Sequence, residues 1–600
     1  MRPREAPGYV VRFCTGSVSY RTSLRSGCRA PARRRGRLPG TVIAKSIVRD
    51  IVREVAEVDY PRPWIKKYEE QGLAFNIGYE SIPLYELLNR TVSRYPDKTA
   101  IIFFDWKMTY RQLGLLVDRL AGALYELGVR KGDRVAVMLP NCPDFVLSYY
   151  AILRVGGIVV NTNPMYVERE IEFQMNDSGA RMMVTLWDLY PRVANVKGNT
   201  PLEKVLVTGF TGKPDSLPAD VIWLPDLYLA ERAPAPPVEI DPKEDIAVLQ
   251  YTGGTTGVPK AAALTHFNLV ANATQVNHFF VGDEKKERIL SVLPFFHVYG
   301  MTCCMNLALI AGTTMILLPR FVPEQVVEVI NKYRPTYFPG VPTMFVALLN
   351  CREFRDPTAV MVYNSGAAGC PLEVWSAYTK MLEGTESTFS EGYGLSEASP
   401  VTHSNPVLAE RKMGSIGIPF PDTECKIVDV ETGTRVMPIG EVGELVIKGP
   451  QVMKGYWNRP EETARALREG WLYTGDLARM DEDGYFYIVD RKKDMIVAGG
   501  FNIYPREIEE VLFQYPKVRE AVAVGVPDPY RGETVKAFVV LKEGETATEE
   551  EIIEHCRKNL AAFKVPRQVE FRSELPKSAV GKLLRRVLAE EERQKLKGVD

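Results

Sequence analysis

Leu113, Leu116, Leu120, Leu124 and Leu127 recur at three- and four-residue intervals, and Gly128 follows where a helix cap is expected. The stretch at 133–140 (DRVAVMLP), apolar from Val135 on, then predicts a buried strand. Similar runs stand at 157–160, 204–207 and 315–318, with helical stretches between them. Such alternation predicts an α/β fold with largely parallel sheets, because parallel strands need crossover helices that cover both faces. Four further apolar runs each lead into a loop of glycine, small residues and aromatics: 293–300 (LPFFHVYG), 337–343 (YFPGVPT), 364–369 (NSGAAG) and 391–397 (EGYGLSE). Pro371 is placed to start a helix after the third. Ligands of open α/β sheets bind at the carboxyl ends of strands, so these loops are expected to form one rim.

The strand-like run at 246–249 leads into Thr252-Gly253-Gly254-Thr255-Thr256-Gly257-Val258-Pro259-Lys260. Glycines let several backbone N–H groups face one concavity, threonines add hydroxyl donors, and lysine adds a point charge, a set that suits a polyphosphate. The Walker pattern is absent, since no Gly-Lys-Ser/Thr closes the loop onto a helix. An ordinary glycine-rich turn is the alternative for this stretch alone. Further on come 443–450, 470–476 (GWLYTGD) and the charged 490–494 (DRKKD). A domain boundary is expected there. The large α/β domain, of several subdomains with mixed and parallel sheets and flanking helices, would span 59–490. A small α+β lobe, read as strand–helix–strand–strand–helix–strand, would span 491–600. Residues 233–237 (APAPP) read as a stiff surface connector.

Composition narrows the function classes. The 600 residues are 46% hydrophobic and 25% charged, with zero formal net charge. That profile argues against nucleic acid as the main partner. Nine cysteines form no C-x-x-C pair and five histidines are scattered, which argues against a Cys/His metal site and fits a reducing compartment. Residues 289–319 carry no Lys, Arg, Asp or Glu, but Pro294, His297, Asn306 and a Gly-Thr-Thr turn divide them. A loop, a buried helix near 300–311 and a strand near 315–318 are expected there, not a bilayer span, which needs about 20 apolar residues in one helix.

Residues 1–58 form an extension. Its first 38 residues hold ten arginines and one acid, with no apolar signal core. An organelle-type presequence and upstream sequence admitted by a start-site choice are the two readings, and the second is preferred. Ile43, Ile47, Ile51 and Val55 share one helical face over 43–58, either to dock on the protein or to lie on a membrane surface.

In order and in type, these blocks resemble the adenylate-forming superfamily of acyl-CoA synthetases, luciferases and peptide-synthetase adenylation domains. The resemblance covers about 64–590. It is carried by the phosphate loop, 393–397, Thr474-Gly475-Asp476, Asp490-Arg491 and Gly581-Lys582. Within the superfamily, 251–254, 448–453, 492–496 and 525–533 are similar to bacterial long-chain fatty-acid–CoA ligases. Ala261, Ser396 and Gly499 depart from the commoner Gly, Thr and Ser. The resemblance implies a mobile C-terminal lobe and the substrates ATP, a fatty acid and CoA, with Mg²⁺. An acyl-adenylate forms with release of pyrophosphate, and the acyl group then passes to CoA.

The implied roles fall on definite positions. Residues 252–260 would cradle the β- and γ-phosphates, Ser396 would donate to the α-phosphate, and Glu397 would hold Mg²⁺. Gly366, Ala367 and Ala368 would leave a flat slot for adenine, with Glu391, Gly392, Tyr393 and Gly394 beside it and Tyr393 stacking on the base. Asp476 and Arg491 would take the ribose hydroxyls, a hinge ion pair being their alternative. Lys582 would bring its ammonium to the reacting carboxylate and α-phosphate. Lys493 would be the hinge, and Gly499, Gly500 and Phe501 would line the CoA side. His297 reads as a gate to the acyl pocket or as a satisfied core histidine, and 301–310 as an alkyl-tunnel wall or plain core. A ligase for aromatic or shorter acids is the nearest rival; a non-catalytic binding protein and an ADP-releasing kinase lie further off. The substrate implies a cytoplasmic protein loosely associated with the inner membrane face and without a transmembrane segment. The resemblance is compatible with a homodimer.

Overall fold

The computed structural model describes residues 60–252, 259–280, 288–498, 501–528, 531–578 and 583–597. The 1–58 extension and its expected helix lie outside these residues. So do Gly253, Gly254, Thr255, Thr256, Gly257, Gly499, Gly500 and Lys582, and the side chain of Phe501. All elements below belong to one compact unit, Arg62–Asp600.

The architecture is α/β, with two large sheets, a smaller antiparallel sheet and a small C-terminal domain. The first large sheet has eight strands in the order Gly455–Tyr456, Lys260–Thr265, Ile246–Thr252, Ile158–Asn161, Arg134–Met138, Met182–Leu186, Lys204–Thr208 and Val221–Trp223. From Ile246–Thr252 onward its neighbours pair in parallel; the Lys260–Thr265 and Gly455–Tyr456 edge is antiparallel. The helix expected from the leucine spacing runs Tyr110–Glu126. Thr109 and Gln112 close its N-terminus as a capping box, each side chain meeting the other's backbone N–H. Gly128 follows its end with φ 99°. The proline-rich connector crosses this helix: the Ala233 carbonyl lies 2.3 Å from where a Cβ on Gly122 would stand, so only glycine fits there.

The second large sheet has nine strands, and its centre positions the site. Arg288–Ser291, Tyr337–Gly340, Val362–Ser365 and Thr388–Gly394 are consecutive parallel neighbours. Gly340 pairs with Ser365, and Ser365 with Glu391, so their carboxyl ends are level. The four aromatic and glycine-rich loops therefore leave from one edge, as the pattern predicts. The helix expected after Pro371 spans Leu372–Leu382, with Pro371 as its N-cap.

The uncharged window folds as a short helix (Val298–Gly300), a π-helix (Met301–Asn306), a further α-turn (Leu307–Ala311) and a strand (Thr314–Leu317), nearly all buried. Among the described residues no helix is long and apolar enough to cross a membrane.

The smaller antiparallel sheet contains Gly443–Lys448, Trp471–Met480 and Phe486–Arg491. The chain leaves this sheet after Arg491, next to the boundary expected at 490. The C-terminal domain follows the expected order of elements. Its expected first strand is a short hairpin, Ile496–Ala498 with Phe501–Ile503, so it adds one strand at its start and a helix, Arg585–Lys597, at its end. Its own core is built from residues such as Ile508, Leu512, Ala537, Val539 and Ile552.

Candidate active site

The 366–368 loop is held flat from below. The Gly366 amide donates to the Gly340 carbonyl at 3.0 Å. The Tyr299 ring packs beneath it, 3.1 Å from where a Cβ on Gly366 would stand, while its hydroxyl lies 3.0 Å and 2.7 Å from the Asn364 backbone and side-chain oxygens. Ala367 sits in the left-handed region, φ 66°, which costs a non-glycine residue about 1–3 kcal/mol and persists only where neighbours impose it. The arrangement leaves a slot without side chains, the shape a planar base requires.

Glu391 lies under this loop. Its side chain is buried and accepts the Cys370 amide at 2.9 Å, while Oε2 has no partner. Burial pushes its carboxyl up to about 7 against the opposing pull of the Arg506 charge. Glu391 thus supports the loop from within the sheet, and Gly392, Tyr393 and Gly394 continue along the edge. Gly394 passes so close to Pro400 that an added Cβ would stand 2.3 Å from its carbonyl oxygen.

Tyr393 points across to Asp476. Its hydroxyl donates to Asp476 Oδ2 at 2.5 Å, and Arg491 Nε lies 3.1 Å from Oδ1. Asp476 and Arg491 are cross-strand partners, which fixes the pair. The Asp476 carboxylate holds Arg491 above its ordinary range, and burial followed by that same carboxylate pushes the Tyr393 phenol far up. The ion pair expected as the alternative reading is therefore present, in the place where a ribose diol would find an acceptor. Glu444 supports it from behind, accepting the Gly475 amide at 3.1 Å and pairing with Lys492 at 3.0 Å.

The stretch expected to cradle phosphates joins two antiparallel strands, Ile246–Thr252 and Lys260–Thr265, and not a strand and a helix. Thr252 and Lys260 are direct cross-strand partners at its mouth. Lys260 Nζ stands 5.5 Å from the Tyr456 ring centre, and the Tyr456 hydroxyl donates to Glu397 Oε1 at 2.7 Å. Ser396 and Glu397 form a 3₁₀ turn, and the Glu397 carbonyl accepts the Met453 amide at 2.8 Å. Tyr251 is anchored to Asp177 at 2.8 Å, which also receives Arg459 at 2.5 Å. The lysine ending the phosphate loop and the acid expected to hold a metal are thus joined by one tyrosine. Among the described residues no three of His, Cys, Asp or Glu cluster as a metal site. A single carboxylate suits Mg²⁺, which takes most of its ligands from phosphates and water.

His297 caps the short helix after the Phe295-Phe296 pair, its Nδ1 accepting the Tyr299 amide at 3.3 Å. It is partly buried. The Gln250 amide group bridges the two large sheets, donating to the Phe296 carbonyl at 3.1 Å and accepting from Asn161 at 2.9 Å.

The sequence pattern of the AMP-binding enzyme family matches residues 88–457, and that of the AMP-binding enzyme C-terminal domain matches 507–582. The chain belongs to the AMP-binding enzyme family. A long-chain-fatty-acid–CoA ligase of Bacillus subtilis (strain 168) is 46% identical over 558 residues, covering 88% of this chain and 98% of that protein. One from Escherichia coli O6:H1 is 41% identical over 539 residues, covering 86% and 95%. A crystal structure of ATP-bound MatB from Rhodopseudomonas palustris superposes with a TM-score of 0.78 at 30% identity, covering 85% of this chain and 99% of that one.

In this AMP-binding enzyme the C-terminal domain meets the rim beside Asp476. Lys493 lies in the turn that leaves the strand Phe486–Arg491. The segment bearing Lys582 springs from a stem closed by a Lys577–Leu583 bridge and by the Leu584 amide on the Pro576 carbonyl at 2.8 Å. Lys577 is paired with Glu520 at 2.7 Å, and Arg585 with Asp490, Asp494 and Glu509. Both neighbours of Lys582 are held in ion pairs, Lys577 at the surface and Arg585 largely buried.

Sequence reading gave no role to Tyr456, Glu444, Asp177 or Asp490. For three of them a signal existed: Tyr456 stands beside the block at 448–453, Glu444 lies within 443–450, and Asp490 belongs to the Asp490-Arg491 motif. Asp177, far from any motif, gave none.

Proposed function

We infer that the protein is a long-chain fatty-acid–CoA ligase working in two steps through an acyl-adenylate. In the first step a carboxylate oxygen of the acid attacks the α-phosphorus of ATP, and pyrophosphate leaves with the electrons of the broken P–O bond. In the second the CoA sulfur attacks the acyl carbonyl, its proton passes to solvent, and AMP leaves. The observation that carries this reading is the convergence of three arrangements on one sheet edge: the bare 366–368 slot, Asp476 held by Tyr393 and Arg491, and Glu397 tied through Tyr456 to Lys260.

Phosphoryl-type displacement needs positioning and positive charge more than a protein nucleophile. The slot takes adenine, Asp476 and Arg491 take the ribose, and 252–260 with Lys260 take the phosphates. Ser396 donates to the α-phosphate, and Glu397 binds Mg²⁺. When bound, that ion neutralises phosphate charge. Lys582 supplies the ammonium that stabilises charge on the carboxylate and α-phosphate oxygens. The small domain, 491–600, turns about Lys493 between the steps, so that water and CoA are excluded first and CoA is then admitted along 499–501. His297 gates the acyl pocket, and the apolar 301–310 wall takes the alkyl chain. The same reading carries a cytoplasmic protein that meets the inner membrane face to collect its acid, and a homodimer.

The test is a panel of acids from C2 to C18 plus cinnamate, with ATP, Mg²⁺ and CoA, and AMP quantified. AMP release with long-chain acids is expected. ADP as product, or activity confined to aromatic acids, would overturn the reading.

A further inference from the structure

Asp490 has a role that none of the assignments above uses. It is the penultimate residue of the strand Phe486–Arg491, beside Leu477 on the neighbouring strand and next to the Asp476–Arg491 pair. Its side chain is 2% exposed. Oδ1 accepts the Arg491 amide at 2.7 Å and lies 3.2 Å from Arg585 Nη1, while Oδ2 accepts the Arg506 amide at 2.9 Å. Arg506 and Arg585 stand in the first turns of two helices of the small domain, Pro505–Phe513 and Arg585–Lys597.

Both arginines carry the contact outward. The Arg506 guanidinium donates to the Ile488 carbonyl at 3.1 Å. It also fills the space over Gly369, where an added Cβ would stand 2.7 Å from it. Arg585 grips Glu509 with two bonds, 2.7 and 2.8 Å, and reaches Asp494 at 3.2 Å. One buried carboxylate on the large domain therefore joins three things: the loop beside the adenine slot, the first long helix of the small domain, and the root of the Lys582 segment, three residues before Arg585.

A buried carboxylate is tolerated only while donors surround it; burial raises the Asp490 pKa, and the Arg585 charge is the largest opposing influence. A turn of the small domain would remove two of the three donors, so the seen orientation is a defined stop.

We propose that Asp490 is a positioning residue for the first half-reaction. Through Arg585 it pins the root of the Lys582 segment, and through Arg506 it pins the 366–369 loop, in the orientation that acyl-adenylate formation needs. This rests on the two-step reading above. Asp490 touches no reacting atom; its effect passes through the two arginines.

The test uses full-length Asp490→Asn, with Arg585→Lys as a second variant. Three quantities are read: acid-dependent ATP–pyrophosphate exchange, thioester formation from supplied acyl-adenylate, and hydrogen exchange of the 366–371 segment without turnover. Exchange of pyrophosphate is expected to fall about ten- to a hundredfold, the scale of a misplaced group. Thioester formation should change less than about twofold by the same comparison, and amides of 366–371 should exchange faster. Equal loss of both half-reactions, no loss of either, or unchanged hydrogen exchange would overturn the proposal. A wild-type protein with neither half-reaction would sink the two-step reading instead, and hydrogen exchange would still decide whether Asp490 pins the loop.

Discussion

Around the 366–368 slot, neutral groups packed against one another do most of the fixing: the Tyr299 ring under Gly366, the Gly340 carbonyl on its amide, the Pro400 carbonyl against Gly394. Along the strands that face the small domain, charges do the fixing: Asp476 with Arg491, Glu444 with Lys492, Asp490 with Arg585. Close packing is short-ranged, and a small displacement forfeits it. Ion pairs trade attraction against desolvation, so exchanging one for water has a small net cost. The first material holds one geometry, and the second tolerates exchange with water.

The largest expected effect lies where the two materials meet, at Glu391 beneath the slot. Its carboxyl rises from the ordinary 4.5 to about 7 in the folded protein. The folded state then holds a proton that the unfolded state has lost, so the stabilising contribution is complete below about 4.5 and disappears as pH rises through 7. Two and a half pH units correspond to roughly 3 kcal/mol. Thermal unfolding of wild type and Glu391→Gln should diverge across that window, with wild type losing ground. Parallel curves from pH 4.5 to 8 would show that burial there does not govern the carboxyl.

Next comes the packed side. Gly394→Ala places a methyl against the Pro400 carbonyl and should destabilise by about 1–3 kcal/mol, the usual cost of overpacking, while raising KM for ATP. Calorimetry showing no loss would mean that this edge is softer than its contacts.

The smallest effect concerns salt. Raising ionic strength to about 0.5 M shortens screening to a few ångströms and weakens part-exposed pairs such as Asp476–Arg491. Pyrophosphate exchange should fall by no more than about fivefold, since such pairs are worth about 1 kcal/mol or less. The unfolding temperature of the large domain should hold. The reverse pattern would erase the distinction.

The packed side was also the legible side. Leucine spacing gave the helix Tyr110–Glu126, and four apolar runs with their glycine loops gave four adjacent parallel strands, because burial periodicity is written locally. The charged side was half legible. Asp476 and Arg491 stood in motif blocks, yet their direct pairing is set by strand register and not by spacing. Asp490 stood in the Asp490-Arg491 motif with no role of its own, and only the fold brings Arg506 and Arg585 to it from 16 and 95 residues away. The inward turn of Glu391 and the reach of Tyr456 to Glu397 likewise depend on tertiary placement. The π-helix at Met301–Asn306 has no periodic signature, since all six of its residues are buried.

The account stands or falls on Lys582 serving one step and not the other. The decisive measurement compares wild type and Lys582→Ala in acid-dependent ATP–pyrophosphate exchange and in thioester formation from supplied acyl-adenylate. Exchange should drop about 10²–10³-fold, the cost of one preorganised contact in the transition state, with thioester formation retained. Equal loss of both reactions, or retention of exchange, would contradict it.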